Sequence, residues 1–311
     1  MRAFVFPGQG AQTIGMGRAL ADAYPQARAV FEEVDDALGE KLSALIWEGE
    51  QEALTLTRNA QPALMATSMA AMAALGAEGV TVTAASFVAG HSLGEYSALC
   101  AAGAISLADT AQLLRVRGEA MQAAVGVGEG AMAAILGLDL GAVQQVAADA
   151  AEGQVVQAAN DNDPGQVVIS GHKAGVERAV ALAQERGAKR AVMLPVSAPF
   201  HCALMEPAAQ VMAERLADVT IDAPLVPVVA NVRAQAVSDP VEIRALLVEQ
   251  VTGVVRWRES VAWMASEGVG EIWEIGAGKA LSGMVRRIAR EVVSRQVGTP
   301  EEVTAAVESM S

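Results

Sequence analysis

The sequence is short of the residues that metal-binding, nucleic-acid-binding and membrane-spanning proteins need. Its 311 residues include two cysteines and three histidines, without the CxxC or HExxH spacing of zinc sites. The 22 lysines and arginines are outnumbered by 36 aspartates and glutamates, which gives a formal net charge of −14. No run reaches the ~18 strongly apolar residues of a membrane span. We therefore expect no metal, no nucleic-acid partner and no membrane insertion.

The two cysteines, Cys100 and Cys202, are too few for a disulfide framework. The first ten residues form a short apolar stretch broken by Pro7, which differs from a signal peptide. These features predict a protein of the reducing cytoplasm.

What the sequence has is an alternation of short β-type runs with longer helical runs, which is typical of an α/β protein with a mostly parallel sheet. Leu107, Ala111 and Leu114 begin an apolar stripe on a long helix, which Ser106 and Asp109 cap. The predicted strands are 2–6, 84–89, 225–230 and 270–275, and the predicted helices are 16–38, 60–76 with Pro62 in the first turn, 107–125, 203–218, 240–252, 256–268 and 279–294.

The rhythm changes after three glycines at positions 126, 128 and 130. The following segment has the order strand, helix, strand, turn at 160–165, strand, helix, strand, which is the βαββαβ order of ferredoxin-like folds. We therefore predict a hydrolase-like catalytic domain formed by residues 1–127 and 198–311. We predict that residues 128–197 form an inserted ferredoxin-like subdomain.

The segment Gly90-His91-Ser92-Leu93-Gly94 has the GxSxG pattern of a nucleophile elbow, between a predicted strand and a predicted helix. The two glycines allow a sharp turn, and the helix directs its positive end toward the serine. The alternative is a tight strand-to-helix turn with an inert serine. The strand before and the helix after favour Ser92 as a nucleophile.

A serine nucleophile needs a base, and the three histidines make the choice short. His91 is expected on the far side of the turn, as a packing or acyl-pocket residue. His172 ends a predicted strand, where a solvated turn histidine is favoured. His201 lies just after the chain re-enters the main domain, 109 residues after Ser92. A serine followed later by a histidine is the chain order of hydrolase-like folds.

Several motifs together resemble the malonyl-CoA:acyl carrier protein transacylase family and the related acyltransferase domains of polyketide synthases. The resemblance covers essentially the full length. The motifs are FPGQGAQ at 6–12, GHSLGEYSA at 90–98, Arg117-Gly118, GAMAA at 130–134, NDNDPGQVVISG at 160–171, His201, and Gln250 before Val255-Arg256-Trp257.

The resemblance implies transfer of a malonyl group from malonyl-CoA to the phosphopantetheine thiol of acyl carrier protein, for fatty acid biosynthesis and without a cofactor. It implies Ser92 as the acylated nucleophile, His201 as general base and then general acid, and Gln250 as the group that holds the imidazole. The main-chain N–H groups of Gln9 and Leu93 are the implied oxyanion donors. A free-standing polyketide-synthase acyltransferase, a serine hydrolase or editing thioesterase, and a non-catalytic scaffold are the alternatives.

The imidazole partner departs from a Ser-His-Asp triad, because Gln250 offers only a neutral amide or its main-chain carbonyl. Either acceptor can fix the tautomer of His201. We expect this weaker polarisation to protect the acyl-serine ester from water, so that Gln250→Glu raises hydrolysis relative to transfer.

The arginines of the 107–125 helix are candidates for binding the malonyl carboxylate. Helical periodicity places Arg115 and Arg117 about 80° to either side of the apolar stripe, so geometry leaves both open. The resemblance selects Arg117. It also implies a substrate-binding set that comprises His91, Met121, Asn162, Gln166 and Phe200.

The other glycine-rich and acidic segments do not match the motifs of nucleotide-binding or calcium-binding loops. A GxGxxG reading fails at Thr13, and a P-loop reading fails at Met16 and Gly17. The NDNDPG segment lacks the final Glu of an EF-hand and contains Pro164.

The expected partner in this family is an acidic carrier protein, and the cations of this acidic chain cluster in two places. The proposed docking residues are Lys279, Arg286 and Arg287, near Arg290 and Arg295, with Lys189 and Arg190 at the last strand of the insert. Satisfaction of helix ends and neighbouring carboxylates is the alternative for each of them. We expect a monomer.

Overall fold

The computed structural model describes residues 1–196 and 198–310. Within these residues the strands are β1 (Arg2–Phe6), β2 (Phe87–Gly90), β3 (Gly130–Leu136), β4 (Val156–Asp163), β5 (Gln166–His172), β6 (Arg190–Met193), β7 (Val228–Ala230), β8 (Gln235–Val237), β9 (Glu271–Ile275) and β10 (Val293–Val297).

The helices of the described residues pack against the two sheets. They are α1 (Arg18–Ala23), α2 (Pro25–Leu38), α3 (Leu42–Glu48), α4 (Gln51–Thr55), α5 (Thr57–Ala77), α6 (Leu93–Ala101), α7 (Leu107–Ala123), α8 (Leu140–Ala150), α9 (Lys173–Glu185), α10 (Glu206–Ala217), α11 (Pro240–Thr252), α12 (Trp257–Ser266), α13 (Ala280–Ile288) and α14 (Pro300–Glu308).

The larger sheet has the strand order β10-β9-β1-β2-β7-β8, and its neighbours are parallel except for the antiparallel pair β7 and β8. Its strands are largely buried, as expected when helices cover a parallel sheet. Parallel pairing brings the carboxyl ends of β1, β2 and β7 to one edge, where their following loops meet. The predicted α/β class with a mostly parallel sheet is confirmed.

The second sheet is antiparallel with the order β4-β5-β3-β6, and α8 and α9 alternate with its strands in the βαββαβ sequence. This is the predicted ferredoxin-like arrangement. The insert has its own core, in which Ile135, Val146 and Val176 are fully buried. Its first strand lies close to the returning chain, because a Cβ on Gly130 would lie 2.4 Å from the ring of Pro199.

Ion pairs and backbone bonds join the insert to the larger domain. Arg258 Nη2 lies 2.8 Å from Asp161 Oδ2, and Arg287 Nε lies 2.7 Å from Asp163 Oδ2. Both carboxylates are buried at the end of β4. The main-chain N–H of Asp161 also donates to the carbonyl of Val255 at 2.9 Å. Strand β4 continues to Asp163 and β5 begins at Gln166, so the turn predicted at 160–165 is shorter than expected.

Three helix predictions need correction. The helix predicted at 16–38 is broken at Tyr24, which is extended because Pro25 follows it. The carbonyl of Leu56 accepts from Asn59 and Ala60, so α5 starts at Thr57 and Pro62 lies inside the helix rather than in its first turn.

The helix predicted at 279–294 ends at Ile288, and the chain then enters β10. Strand β10 pairs in parallel with β9, and Arg295 on it donates to Glu271 on its neighbour at 2.6 Å. A β-branched run and this pairing across the sheet override the helical rhythm. No helix of the described chain is long and apolar enough to cross a membrane.

Candidate active site

The turn between β2 and α6 holds Ser92 in a strained conformation, with φ 54° and ψ −109°. A Cβ on Gly90 would lie 1.9 Å from the backbone of Gly94, and one on Gly94 would lie 2.2 Å from the carbonyl oxygen of Phe6. Neither position tolerates a side chain, so the turn can close only with glycine at both. The tight turn projects Ser92 from the sheet edge at the start of α6, as in a nucleophile elbow.

His201 is the base within reach of this serine. Its Nε2 lies 2.8 Å from Ser92 Oγ, and its Nδ1 lies 2.9 Å from the main-chain oxygen of Gln250. A carbonyl oxygen can only accept, so Nδ1 carries the proton and Nε2 is free to accept the proton of the serine. Burial, and then the charge of Arg117, lower the pKa of His201 to about 3, which keeps the imidazole neutral.

The side chain of Gln250 has a different set of partners from its carbonyl. Its Nε2 donates to the main-chain oxygen of Ser92 at 3.0 Å and to Glu95 Oε2 at 2.9 Å, while its Oε1 accepts from Arg117 at 2.9 Å. The sequence left two possible acceptors on Gln250, the side-chain amide and the main-chain carbonyl. The main-chain carbonyl is the partner of His201. The side chain of Gln250 therefore does not contact the imidazole, and the carboxylate of Gln250→Glu would face Arg117 and Glu95 instead. The structure thus removes the physical reason for expecting this variant to raise hydrolysis.

Arg117 reaches the nucleophile from α7. Its Nη2 lies 3.1 Å from Ser92 Oγ, its Nη1 donates to Gln61 Oε1 at 2.7 Å, and its guanidinium lies 5.6 Å from the ring centre of Tyr96. The side chain is only 1% exposed, and all of these partners are neutral. Arg115, the other arginine left open by periodicity, instead points to Glu40 and Asn59.

Reasoning from the sequence missed Asn231, which braces the elbow. Its Oδ1 accepts from the main-chain N–H of Ser92 at 2.8 Å, its Nδ2 donates to the carbonyl of Gly90 at 2.6 Å, and its main-chain N–H donates to Glu95 at 2.9 Å. A polar residue directly after a predicted strand was the available signal, since ligand sites of parallel sheets lie at the carboxyl ends of strands.

Comparisons with known proteins identify the family of the chain. A family model described as acyl transferase domain matches residues 3–305. The chain belongs to the acyl transferase family. Malonyl CoA-acyl carrier protein transacylase of Bacillus subtilis (strain 168) is 49% identical over 309 residues, 99% of this chain and 96% of that relative. The protein of the same name from Escherichia coli (strain K12) is 48% identical over 306 residues, 98% of each chain.

Two solved structures show the same fold. The acyl-carrier-protein-S-malonyltransferase from Bartonella henselae has a TM-score of 0.97 and 57% sequence identity, with 99% of each chain covered. A malonyl-transacylase in complex with a type II PKS acyl-carrier protein has a TM-score of 0.96 and 43% identity, with 99% of each chain covered.

The two predicted oxyanion residues of this acyl transferase lie after β1 and at the start of α6. Leu93 is the first residue of α6, so its N–H has no partner within the helix. Gln9 follows β1, and its side-chain oxygen accepts from Thr57 Oγ1 at 2.7 Å. Gln61 Nε2 donates to the same hydroxyl at 3.2 Å, which links the Gln9 loop to the partners of Arg117.

A cleft of about 480 Å³ lies between the larger domain and the insert of the acyl transferase. His91 lines it and bonds across it, with Nε2 2.9 Å from Asn162 Oδ1. The cleft is lined by the predicted nucleophile and base, both predicted oxyanion residues, Arg117 and the predicted substrate-binding residues His91, Met121, Asn162, Gln166 and Phe200. His172 lies elsewhere, at the end of β5, where its Nδ1 accepts from the N–H of Val155 at 3.0 Å.

The candidate docking residues fall into two groups. Lys279, Arg286 and Arg287 lie on or next to α13, which also lines the cleft with Ala280, Leu281 and Met284. Arg286 donates to Ser294 at 3.2 Å, whereas Arg287 is paired with the buried Asp163. Among the described residues, neither Lys189 nor Arg190 lines the cleft. No group of His, Cys, Asp or Glu side chains in the described chain could hold a metal ion.

Proposed function

We propose that this acyl transferase moves a malonyl group from malonyl-CoA to the phosphopantetheine thiol of acyl carrier protein, through a malonyl ester on Ser92, for fatty acid biosynthesis. The carrying observation is the buried Arg117 guanidinium, 3.1 Å from the nucleophile oxygen and bound to neutral groups alone. A carboxylate on the acyl group can pair with this charge while its thioester meets Ser92. The enzyme uses no cofactor and works as a cytoplasmic monomer.

In the first half-reaction, Ser92 Oγ attacks the thioester carbonyl and its proton passes to His201 Nε2. The N–H groups of Gln9 and Leu93 receive the negative oxygen of the tetrahedral intermediate. The carbonyl reforms as the carbon–sulfur bond breaks, and the imidazolium returns its proton to the leaving CoA thiolate. The enzyme is left with a malonyl-serine ester and a neutral histidine.

In the second half-reaction, the phosphopantetheine thiol gives its proton to His201 and its sulfur attacks the ester. The same two N–H groups stabilise the intermediate, and the proton then passes to Ser92 Oγ as the carbon–oxygen bond breaks. The products are malonyl-carrier protein and the free enzyme.

Substrate charge also tunes the base. Arg117 is one cause of the low pKa of His201, after burial. A malonyl carboxylate on Arg117 offsets that positive charge, so the imidazole becomes a stronger base once the correct substrate is bound. An acyl group without a carboxylate leaves His201 weakly basic, which adds selectivity at the chemical step.

The experiment is to mix the enzyme with malonyl-CoA, measure the mass of the Ser92 peptide, and then add carrier protein or buffer alone. A stable gain of one malonyl group that carrier protein discharges supports transfer. Rapid loss to water supports a hydrolase, and failure of Ser92 to acylate contradicts the proposal. Ser92→Ala is the control for modification elsewhere.

We place the carrier protein against α13, beside the cleft mouth, with Lys279, Arg286 and Arg287 as its anionic-surface contacts and Lys189 and Arg190 as outer candidates. Arg286→Glu is the cleaner test, because Arg287→Glu would place two carboxylates together at Asp163. We expect Arg286→Glu to raise the KM for carrier protein and leave that for malonyl-CoA unchanged. Arg215→Glu, at an exposed position on α10 away from the cleft, is the control for the change in net charge. Equal changes in both KM values would contradict this placement.

A further inference from the structure

Two buried opposite charges in the active site are joined by one amide. Arg117 Nη2 donates to Gln250 Oε1 at 2.9 Å, and Gln250 Nε2 donates to Glu95 Oε2 at 2.9 Å. Arg117 is 1% exposed and Glu95 is 3% exposed. The amide dipole therefore has its negative end toward the guanidinium and its positive end toward the carboxylate, which stabilises both charges at once.

The carboxylate is also tied to the elbow. The main-chain N–H of Asn231 donates to the same Oε2 of Glu95, and the side chain of Asn231 holds the backbone of Ser92 and Gly90. Gln250 in turn donates to the main-chain oxygen of Ser92. A change of charge on Glu95 thus reaches both the arginine and the nucleophile turn through single hydrogen-bonded side chains.

The titratable neighbours of Glu95 keep one protonation state across the neutral pH range. On α7, Arg117 stays protonated. On α6, burial raises the pKa of Tyr96 to about 12, and on the loop before α10, burial lowers the pKa of His201 to about 3. Burial also lowers the pKa of His91 on the elbow, and Asn231 and Gln250 do not titrate. Burial raises the pKa of Glu95 itself to about 7, against hydrogen bonds from Asn231 and Gln250 and the charge of Arg117.

We propose that Glu95 is a positioning residue of the transfer reaction: ionised, it is the counter-charge of Arg117 through Gln250, and it takes up a proton when a malonyl carboxylate occupies Arg117. The proton comes from solvent, and no bond of the substrate changes in this step. The inference rests on the proposed function, because it needs an acyl group that carries a carboxylate.

The physical reason is competition of two anions for one buried cation. A second carboxylate at Arg117 adds repulsion to the ionised Glu95 and raises its pKa above the value in the free enzyme. Well below pH 7, Glu95 is protonated in both states and no proton is taken up. As the pH rises above 7, the free enzyme holds an ionised Glu95, and malonyl binding becomes weaker because it must drive protonation or tolerate the repulsion.

The direct test measures protons with the unreactive Ser92→Ala protein, by calorimetry of malonyl-CoA binding at pH 7.5 in phosphate and in Tris. The two buffers differ in ionisation enthalpy, so the difference in heat gives the protons taken up. Acetyl-CoA is the matched ligand, because it lacks only the carboxylate. We expect malonyl-CoA to take up a fraction of a proton more than acetyl-CoA does. Equal uptake for the two ligands overturns the inference.

The second test adds Glu95→Gln to Ser92→Ala. The new amide oxygen still accepts from Gln250 and Asn231, and only the titration is lost. In the Ser92→Ala parent we expect the Kd for malonyl-CoA to rise about tenfold from pH 6 to pH 8.5, as for a coupling of one pKa unit. The rise disappears with Glu95→Gln. Glu274 is another buried carboxylate, which accepts from the N–H groups of Leu281 and Ser282. Glu274→Gln is therefore the control, and the rise of Kd with pH should persist in it.

An equal pH dependence with and without Glu95→Gln overturns the inference. If Glu95→Gln does not fold, the two-buffer measurement decides alone, since it leaves Glu95 intact. The proposed function is checked separately by acylation of the unaltered enzyme: unmodified Ser92 contradicts the function, whereas acylated Ser92 with equal proton uptake for malonyl-CoA and acetyl-CoA contradicts only the role of Glu95.

Discussion

Two arginines on one helix, Arg115 and Arg117 of α7, have opposite surroundings. Both are buried, at 9% and 1% exposure, and burial lowers the pKa of each. Arg115 is paired with the carboxylate of Glu40 and donates to Asn59 at 2.6 Å. Arg117 is surrounded by two glutamine amides, a serine hydroxyl and an aromatic ring.

The comparison indicates how a fold can separate a structural cation from the cation that we propose binds the acyl carboxylate. A buried charge that already has a carboxylate beside it has little left to offer a ligand, whereas one held by neutral dipoles keeps most of its field. Holding Arg117 among neutral groups costs stability. In the proposed function, this charge attracts an acyl carboxylate next to Ser92. In Arg115 the same chemical group strengthens the fold.

The largest expected effect comes from removing the binding cation. We expect Arg117→Met to lower kcat/KM for malonyl-CoA by about 100- to 1,000-fold, the loss typical of a buried charge contact to substrate. Stability near pH 7 should change little, because the loss of one buried charge leaves Glu95 without its counter-charge, and Glu95 then takes up a proton. Steady-state kinetics and thermal denaturation measure the two quantities.

The matched change at the structural cation is Arg115→Met. Here we expect the free energy of unfolding to fall by about 1–3 kcal/mol, with kcat/KM within about twofold of the unaltered enzyme. A comparable loss of activity from both substitutions would remove the distinction between the two arginines.

A smaller effect is expected when Arg117 is made to resemble Arg115. Gln61→Glu places a carboxylate where Arg117 now donates to an amide at 2.7 Å. The new anion competes with the malonyl carboxylate, so the KM for malonyl-CoA should rise about 10- to 100-fold, as for a hydrogen bond to a charged group. Gln61→Met is the control for loss of the amide without a new charge, and a KM as low as that of the unaltered enzyme would refute the competition.

The smallest effect is expected at Glu40, the half-exposed partner of Arg115. Glu40→Gln keeps a hydrogen-bond acceptor and removes the charge. Urea denaturation should show a loss of about 1 kcal/mol or less, as for partly exposed ion pairs, and the kinetics should not change. A larger change in activity than in stability would place Glu40 in the active site after all.

The sequence alone predicted the elbow, the βαββαβ insert and four of the six strands of the larger sheet, because each depends on local spacing and hydrophobic rhythm. Helical periodicity could not choose between Arg115 and Arg117, which lie symmetrically about the apolar stripe, and only the family resemblance favoured Arg117. The choice depends on where α5 crosses: a Cβ on Gly118 would lie 2.6 Å from the Cα of Arg58, so the two helices touch there and Gln61 comes within reach of Arg117.

Contacts across long sequence separations were the other limit. Asn231 and Glu95 meet 136 residues apart, and no spacing rule connects them. The Gln250 carbonyl and side chain were indistinguishable as partners of His201 until the direction of α11 was known. Strand β10 was hidden because its pairing with β9 lies outside any local pattern.

The close contact between Gly130 and Pro199 gives the insert a mechanical connection to the chemistry. The first strand of the insert lies against the chain two residues before His201, at a distance that leaves no room for a side chain at position 130. A larger residue at this position would have to displace Pro199, next to the segment that carries the imidazole. An acyl pocket enlarged from the side of the insert would therefore have to keep this glycine.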